Sequence, residues 1–254
     1  MGTPSDRTTA LAAIDAFVEA LRHVEIDPAT DRVGRAGGTP YLAYPNGRAG
    51  EAFTHEFFPL DLSAAEALAL AREVSGGAPH LICHAGARAR AEEAACLAAG
   101  YRRSNEWTMM LRPLDAPLAR PGDERARPVT DPVTEARAFA AVRDLVSAGH
   151  PARDGHTANP AVRQRWVEDA GEPAAFGRLV LTGDWAYVGD IATVPAFRRR
   201  GHAGAIFRAL LDDALAAGAS RALLVSTPMA LDLYRANGFA EALPLTEYRS
   251  DATG

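Results

Sequence analysis

The chain has 254 residues, 48% hydrophobic and 23% charged, with a net charge of −5; this is ordinary globular composition and excludes a disordered or fibrous chain. All 27 basic residues are Arg, and they divide as 11 against 15 acids in residues 1–115 and 16 against 17 in the rest. Neither half has the basic surplus of a nucleic-acid binder. No charge-free apolar run reaches the roughly 18 residues of a membrane span, and residues 1–9 carry Asp6 and Arg7 with no signal-peptide core behind them. The expectation is a cytoplasmic protein without membrane contact, its two cysteines, Cys83 and Cys96, reduced.

In chain order, periodicity predicts a helix over 9–23, strands near 32–36, 40–45 and 51–58, and a helix from Ser63. The run Ser63-Ala-Ala-Glu66 is a capping box, in which Ser and Glu satisfy backbone N–H groups of the first turn. A strand at 79–84, a helix at 87–99, Gly100-Tyr101 and a strand at 104–112 follow. His80, Cys83 and His84 lie close together, but their spacing matches no common zinc pattern and the run reads as a buried strand. Three Pro, one Gly and six charges at 115–128 predict an exposed linker, dividing the chain into domains 1–118 and 119–254.

The second part reads as a strand near 127–130, helices at 133–148 and 160–169, and strands at 177–182 and 185–194. A helix at 202–217 follows, with Ile206, Phe207, Leu210, Leu211, Ala214 and Leu215 on one stripe, ending at Gly218. A buried strand at 222–226, a helix ending before Gly238 and a strand at 243–249 complete it. Trp166, Phe176 and Trp185 read as core aromatics. The ends of the two parts match in order as strand, helix, Gly-aromatic, strand (HLICHAGARARAEEAACLAAGYRRSNEWTMMLR against RALLVSTPMALDLYRANGFAEALPLTEYR), which suggests an internal duplication.

Residues 193–204, TVPAFRRRGHAG, lead from a strand end directly into an amphipathic helix. The first N–H groups of a helix have no internal acceptor and its dipole is positive there, so such a loop can hold a phosphate on backbone alone. Gly201 lets the chain turn, Ala203 leaves the first turn uncluttered, and Arg198, Arg199 and Arg200 add positive charge.

With Arg198, Gly201 and Ala203 at the places of an (Gln/Arg)-x-x-Gly-x-(Gly/Ala) signature, and with Leu233-Tyr234 before Gly238-Phe239, the stretch 127–250 resembles the GNAT superfamily of acyl-CoA-dependent N-acetyltransferases. The resemblance implies an α/β (α+β) fold of tandem GNAT-like domains, each a mixed, mainly antiparallel sheet flanked by helices, with acetyl-CoA as cosubstrate. It implies that the backbone of Ile191, Ala192 and Thr193 pairs with the pantetheine arm. Arg198, Arg199, Arg200, Gly201, His202, Ala203 and Gly204 would surround the pyrophosphate, and His202, in the first turn next to the phosphate, reads as a structural or solvent-facing residue rather than a catalytic one. Tyr234 would protonate the leaving thiolate. Thr227 stands where the family often has Asn, offering a hydroxyl to the cofactor arm.

No acidic residue stands where some members of the family keep a base. Tyr187 lies near that place, and Asp190 faces the other way unless a bulge turns it; water relaying to Asp190, or an amine arriving neutral, are the alternatives. The first half carries Asp61 where an Arg/Gly loop would lie and Cys96 where Tyr234 would align, so it reads as a degenerate GNAT-like domain. The implied function is transfer of acetyl from acetyl-CoA to a small-molecule or peptide amine by direct attack; the alternative is a non-catalytic acyl-CoA-binding or sensing protein. The implied partners are that amine and, as a homodimer, a second copy of the chain, with no nucleic acid, membrane or metal.

Overall fold

The spacing of Ala10, Ala13, Ile14, Phe17, Leu21 and Val24 puts one apolar stripe on the first helix, α1 (Arg7–Val24), and that stripe is its buried face. The computed structural model describes residues 7–24, 27, 30–44, 54–116, 118, 120, 122–146 and 155–250; the expected strand residues 45 and 51–53, the expected helix end at 147–148 and parts of the linker lie outside these. The first half continues with β1 (Arg32–Ala36), β2 (Thr39–Ala43), β3 (His55–Phe57), α2 (Ala64–Ser75), β4 (His80–Ala85), α3 (Arg88–Ala91), α4 (Glu93–Ala98) and β5 (Tyr101–Pro113). The second half has β6 (Arg127–Pro128), α5 (Pro132–Ala140), α6 (Arg143–Val146), β7 (Val162–Asp169), β8 (Glu172–Thr182), β9 (Trp185–Thr193), α7 (His202–Ala216), β10 (Arg221–Ser226), α8 (Leu231–Arg235) and β11 (Ala240–Ser250).

Three expectations are corrected. The helix expected at 160–169 is the strand β7: Val162, Gln164 and Trp166 are buried with period two, and Ala170 (φ 53°) and Gly171 (φ 82°) form a two-residue hairpin turn joining it to β8. The expected helices at 87–99 and 133–148 are each broken into two short ones. The linker is not detached from the fold, because Leu118 packs on the core around α7 and the Gly122 N–H donates to Asp212 of that helix.

The eleven strands form one sheet in the order β1-β2-β3-β4-β11-β5-β10-β9-β8-β7-β6. Outward from the central β11–β5 pair, each side repeats one pattern. An antiparallel pair (β11–β4 and β5–β10) is followed by a parallel pair (β4–β3 and β10–β9), then by antiparallel neighbours. The last strand of each half lies beside the other half's strands: β5 pairs with β10, and β11 pairs with β4 and β5. The two halves therefore interlock through the middle of one mixed, mainly antiparallel sheet.

Alternation along the strands sends side chains to two cores. On one face α1 covers Leu81, Cys83, Met109, Leu223 and Leu245, reaching strands of both halves. On the other, α7 covers Ala186, Val188, Ala222 and Leu224, and α2 covers Phe57, Ile82 and Tyr248. His80, Cys83 and His84 do not converge: the His80 ring bonds Tyr101 Oη (2.6 Å) and the Ala78 carbonyl (2.8 Å), His84 Nε2 bonds the Leu62 carbonyl (2.9 Å), and Cys83 lies in the α1 core. Among the described residues no helix is long and apolar enough to cross a membrane.

Candidate active site

The parallel strands β9 and β10 stay paired only from Trp185–Arg221 to Tyr187–Leu223. Beyond that, Leu224 to Ser226 follow β5, while β9 follows β8 through a register shift between Phe176 and Arg178. The two strands thus splay towards their carboxyl ends, and Ile191, Ala192 and Thr193 lie on the open edge of β9. The shift is a bulge that puts Asp190 into the left-handed region (φ 54°). Its carboxylate accepts from Arg178 Nη1 at 2.7 Å, and the Arg178 guanidinium is buried against the rings of Phe139 and Phe176. Gly177 faces the bulge, where a Cβ would come within 2.5 Å of Ile206; only glycine lets α7 approach this closely.

After β9 a single 3-10 turn over Pro195–Phe197 leads to the arginine run and to Gly201, the N-cap of α7, with φ 83° and ψ 6°. No side chain caps this helix, and the space beside Gly201 is open for 4 Å around an added Cβ. The first helical turn closes with Ala205 N–H on the Gly201 carbonyl, so the N–H groups of His202, Ala203 and Gly204 have no acceptor within the helix. Arg199 is held at φ 65°, a strained conformation of the kind that gathers at ligand sites, and makes no hydrogen bond or ion pair among the described residues.

The other charges of the loop are engaged. Arg198 Nε donates to the Thr193 carbonyl at 3.3 Å. Arg200 Nη1 and His202 Nε2 lie 2.9 and 3.0 Å from one oxygen of Asp169; the hydrogen bond from Arg200, then that from His202, hold the Asp169 carboxyl below its ordinary range. Arg200 and His202 therefore tie the loop to the β7–β8 hairpin. Nearly two turns into α7, Arg208 Nε is buried with no acceptor among the described residues. With Arg112, Arg120 and Arg235 it lines a cavity of about 640 Å³.

The corresponding helix of the first half is closed to anions. At the start of α2, Ser63 Oγ accepts from Glu66 N–H, Glu66 Oε2 accepts from Ser63 N–H (2.8 Å), and Glu92 Oε2 accepts from Ala64 N–H (3.1 Å). Two carboxylates of the chain occupy the place where a phosphate would bind. Cys96 is buried and its thiol is pushed up to about 11 by burial, with Glu92 and Glu93 adding to the effect.

A cavity of about 280 Å³ fills the splay and is lined from both halves of the chain. The second half supplies Tyr187 to Ile191, Val225, Thr227 and Tyr234; the first supplies Phe17, Glu56, Phe58, Cys83 and Trp107, and β11 adds Leu245 and Glu247. The Tyr234 ring packs on Phe207 (5.1 Å between centroids), its hydroxyl makes no hydrogen bond among the described residues, and burial pushes the phenol up to about 12. The Thr227 hydroxyl is likewise without a partner. The aromatics of the cavity are Phe17, Phe58, Trp107 and Tyr187, while Trp166, Phe176 and Trp185 are buried in the core. The sequence analysis does not find Glu56, Trp107 or Glu247. The signal for Glu247 is present, since it follows Leu243 and Leu245 at the inward-facing period of β11.

The sequence profile of the acetyltransferase (GNAT) family matches residues 134–239, and no curated protein matches the chain in sequence. Among solved structures, a GCN5-related N-acetyltransferase from Kribbella flavida superposes with a TM-score of 0.67 at 14% identity, covering 95% of each chain. A tandem GNAT protein from the clavulanic acid biosynthesis pathway has a TM-score of 0.56 at 16% identity, covering 94% of this chain and 88% of that one. A GCN5-related N-acetyltransferase-like protein from Streptococcus suis has a TM-score of 0.55 at 13% identity, covering 95% and 96%. At these identities the likeness is one of fold, and it extends through both halves. Residues 134–239 thus match the acetyltransferase (GNAT) family in sequence, within a chain whose fold is similar to that of GNAT proteins over nearly its whole length.

Proposed function

We propose that the protein transfers an acetyl group from acetyl-CoA to a primary amine. The carrying observation is that a splayed pair of parallel strands and a tyrosine hydroxyl with no partner among the described residues stand at one cavity, while β9, which lines that cavity, runs on through a single 3-10 turn to an uncapped helix N-terminus. The residues present fit the cosubstrate: the N–H groups at the start of α7 and Arg199 suit a pyrophosphate, the buried Arg208 Nε lacks an acceptor, and the β9 edge at Ile191, Ala192 and Thr193 suits an amide-bearing arm. When bound, acetyl-CoA supplies an acyl thioester, which a neutral amine attacks directly.

In this reading the β9 backbone N–H groups stabilise negative charge developing on the carbonyl oxygen. Tyr234, protonated at neutral pH because burial raises its phenol, gives its proton to the departing sulfur, and Thr227 positions the arm. Asp190 contributes charge at the cavity with its carboxylate already engaged by Arg178. Arg198, Arg200 and His202 shape the loop around the phosphates. We read 1–118 and 119–254 as two repeats, the first a degenerate GNAT-like unit whose own helix N-terminus is blocked by Glu66 and Glu92. Buried free thiols at Cys83 and Cys96 suit a reducing, cytoplasmic setting.

Calorimetric titration of acetyl-CoA into the full chain and into Gly201→Asp tests the reading. The variant puts a carboxylate at the phosphate site and strains a left-handed residue, so binding to the full chain and its loss in the variant are expected. Near-normal binding by a folded Gly201→Asp protein would overturn the assignment of the loop.

A further inference from the structure

The first half supplies a wall of the shared cavity on which acetyl transfer itself does not draw. Three carboxylates line the cavity, Glu56, Asp190 and Glu247, and no Arg or His does so among the described residues. Asp190 is matched by Arg178 behind the wall. Glu247 is not matched. It is 7% exposed on β11, and Ser104 Oγ and Asn105 Nδ2 (2.9 Å) both donate to its Oε1. Among the described residues its Oε2 has no donor, and that oxygen keeps some contact with solvent. A carboxylate oxygen that opens on a narrow cavity with no donor from these residues is well placed to accept from a cation arriving there.

Strand register brings a second acid to the same place. Glu247 stands opposite Cys83 of β4, and β3, which carries Glu56, pairs along the other edge of β4. Glu56 is 3% exposed, with Tyr44 Oη 3.4 Å from its Oε2. The Cys83 thiol registers both acids: burial chiefly, then Glu247 and Glu56, push it well up. Beside the carboxylates are the rings of Phe17, Phe58 and Trp107, whose faces attract cations and whose bodies hold apolar groups.

We infer that the acceptor is a small primary monoamine that docks as an ammonium ion, its charged head on Glu247 beside Glu56 and its apolar or aryl body against Phe17, Phe58 and Trp107, and that yields one proton to a carboxylate of this pair before the neutral nitrogen attacks. This rests on the acetyl-transfer reading for its chemistry, but the cation site stands on its own geometry. A cavity of about 280 Å³ is at the small end of ligand pockets, which favours a compact amine over a peptide. The half that has lost its phosphate site is then the half that selects the acceptor.

The test uses 2-phenylethylamine as probe and 2-phenylethanol as its neutral counterpart, each titrated calorimetrically into the full-length protein and into Glu247→Gln, with acetyl-CoA titrated in parallel. Glutamine keeps an oxygen for Ser104 and Asn105, so melting should be nearly unchanged. The amine should bind the native protein and weaken about 10- to 100-fold in Glu247→Gln, as loss of a charge-assisted hydrogen bond predicts. The alcohol should bind weakly and equally to both, and acetyl-CoA affinity should not move. Equal amine affinity in the two proteins, alcohol binding as tight as amine binding, or no amine binding by the native protein would overturn the inference. If Glu247→Gln does not fold, the amine–alcohol comparison on the native protein decides alone. Amine binding without acetyl-CoA binding would leave the cation site intact and overturn the acetyl-transfer reading instead.

Discussion

Tyr234 lies against Phe207 and Phe239 with an unbonded hydroxyl at the cavity, and Tyr234→Phe removes that hydroxyl while keeping the ring. Turnover should fall about 10- to 10,000-fold, the range of a positioned general acid, while acetyl-CoA affinity stays nearly constant. A purely packing role predicts normal turnover and a small loss of stability, so steady-state rates, a binding titration and a melt of this variant separate the two. Tyr234, Gly201 and Arg199 were legible in the sequence because each belongs to a short local pattern. The Asp190–Arg178 pair and the anchoring of Glu247 by Ser104 and Asn105 were not, because they depend on a bulge in one strand and on donors 142 and 143 residues away.

At the scale of elements, α5 is pinned to the second half through Glu135, which is fully buried and accepts from His156 N–H (2.9 Å), Thr157 N–H (3.2 Å) and Gln164 Nε2 (2.8 Å). Burial raises its carboxyl, but these three hydrogen bonds outweigh it and the net shift is downward. A group whose folded pKa is depressed contributes stability above its unfolded pKa and loses it as pH falls through the folded value. Thermal melts should therefore show this contribution fading below about pH 4.3, the ordinary glutamate value, with Glu135→Gln less sensitive to acid over that window. Glu135→Ala strands several buried donors and should cost about 2–4 kcal/mol at neutral pH; a loss under about 0.5 kcal/mol would show that water replaces the carboxylate. The helix α7 and the capping box of α2 were readable from periodicity and caps. The strand β7 was not, since its hairpin puts Ala170, a residue with no preference for positive φ, where Asn or Gly would have signalled the turn.

For the molecule as a whole, the exchange of last strands makes the halves interdependent. Cutting at 118/119 removes both partners of β11 and one edge of β10, exposing long unpaired strands. The fragment 119–254 should then melt without cooperativity or aggregate although it contains the whole phosphate loop, and co-expression with 1–118 should restore a folded complex. A stable, monomeric 119–254 that binds acetyl-CoA with native affinity would contradict this dependence. The duplication was visible in the sequence as a repeated order of strand, helix, Gly-aromatic and strand. The interlocking was invisible, because strand pairing between residues more than a hundred positions apart leaves no local trace in either segment.

Release of CoA thiol from acetyl-CoA by the full-length protein, followed across a panel of primary amines, tests acetyl transfer most directly. Release should depend on the amine, exceed the amine-free background and fall steeply in Tyr234→Phe. Saturable acetyl-CoA binding with no amine-dependent release would contradict the proposed activity and identify a non-catalytic acyl-CoA-binding protein instead.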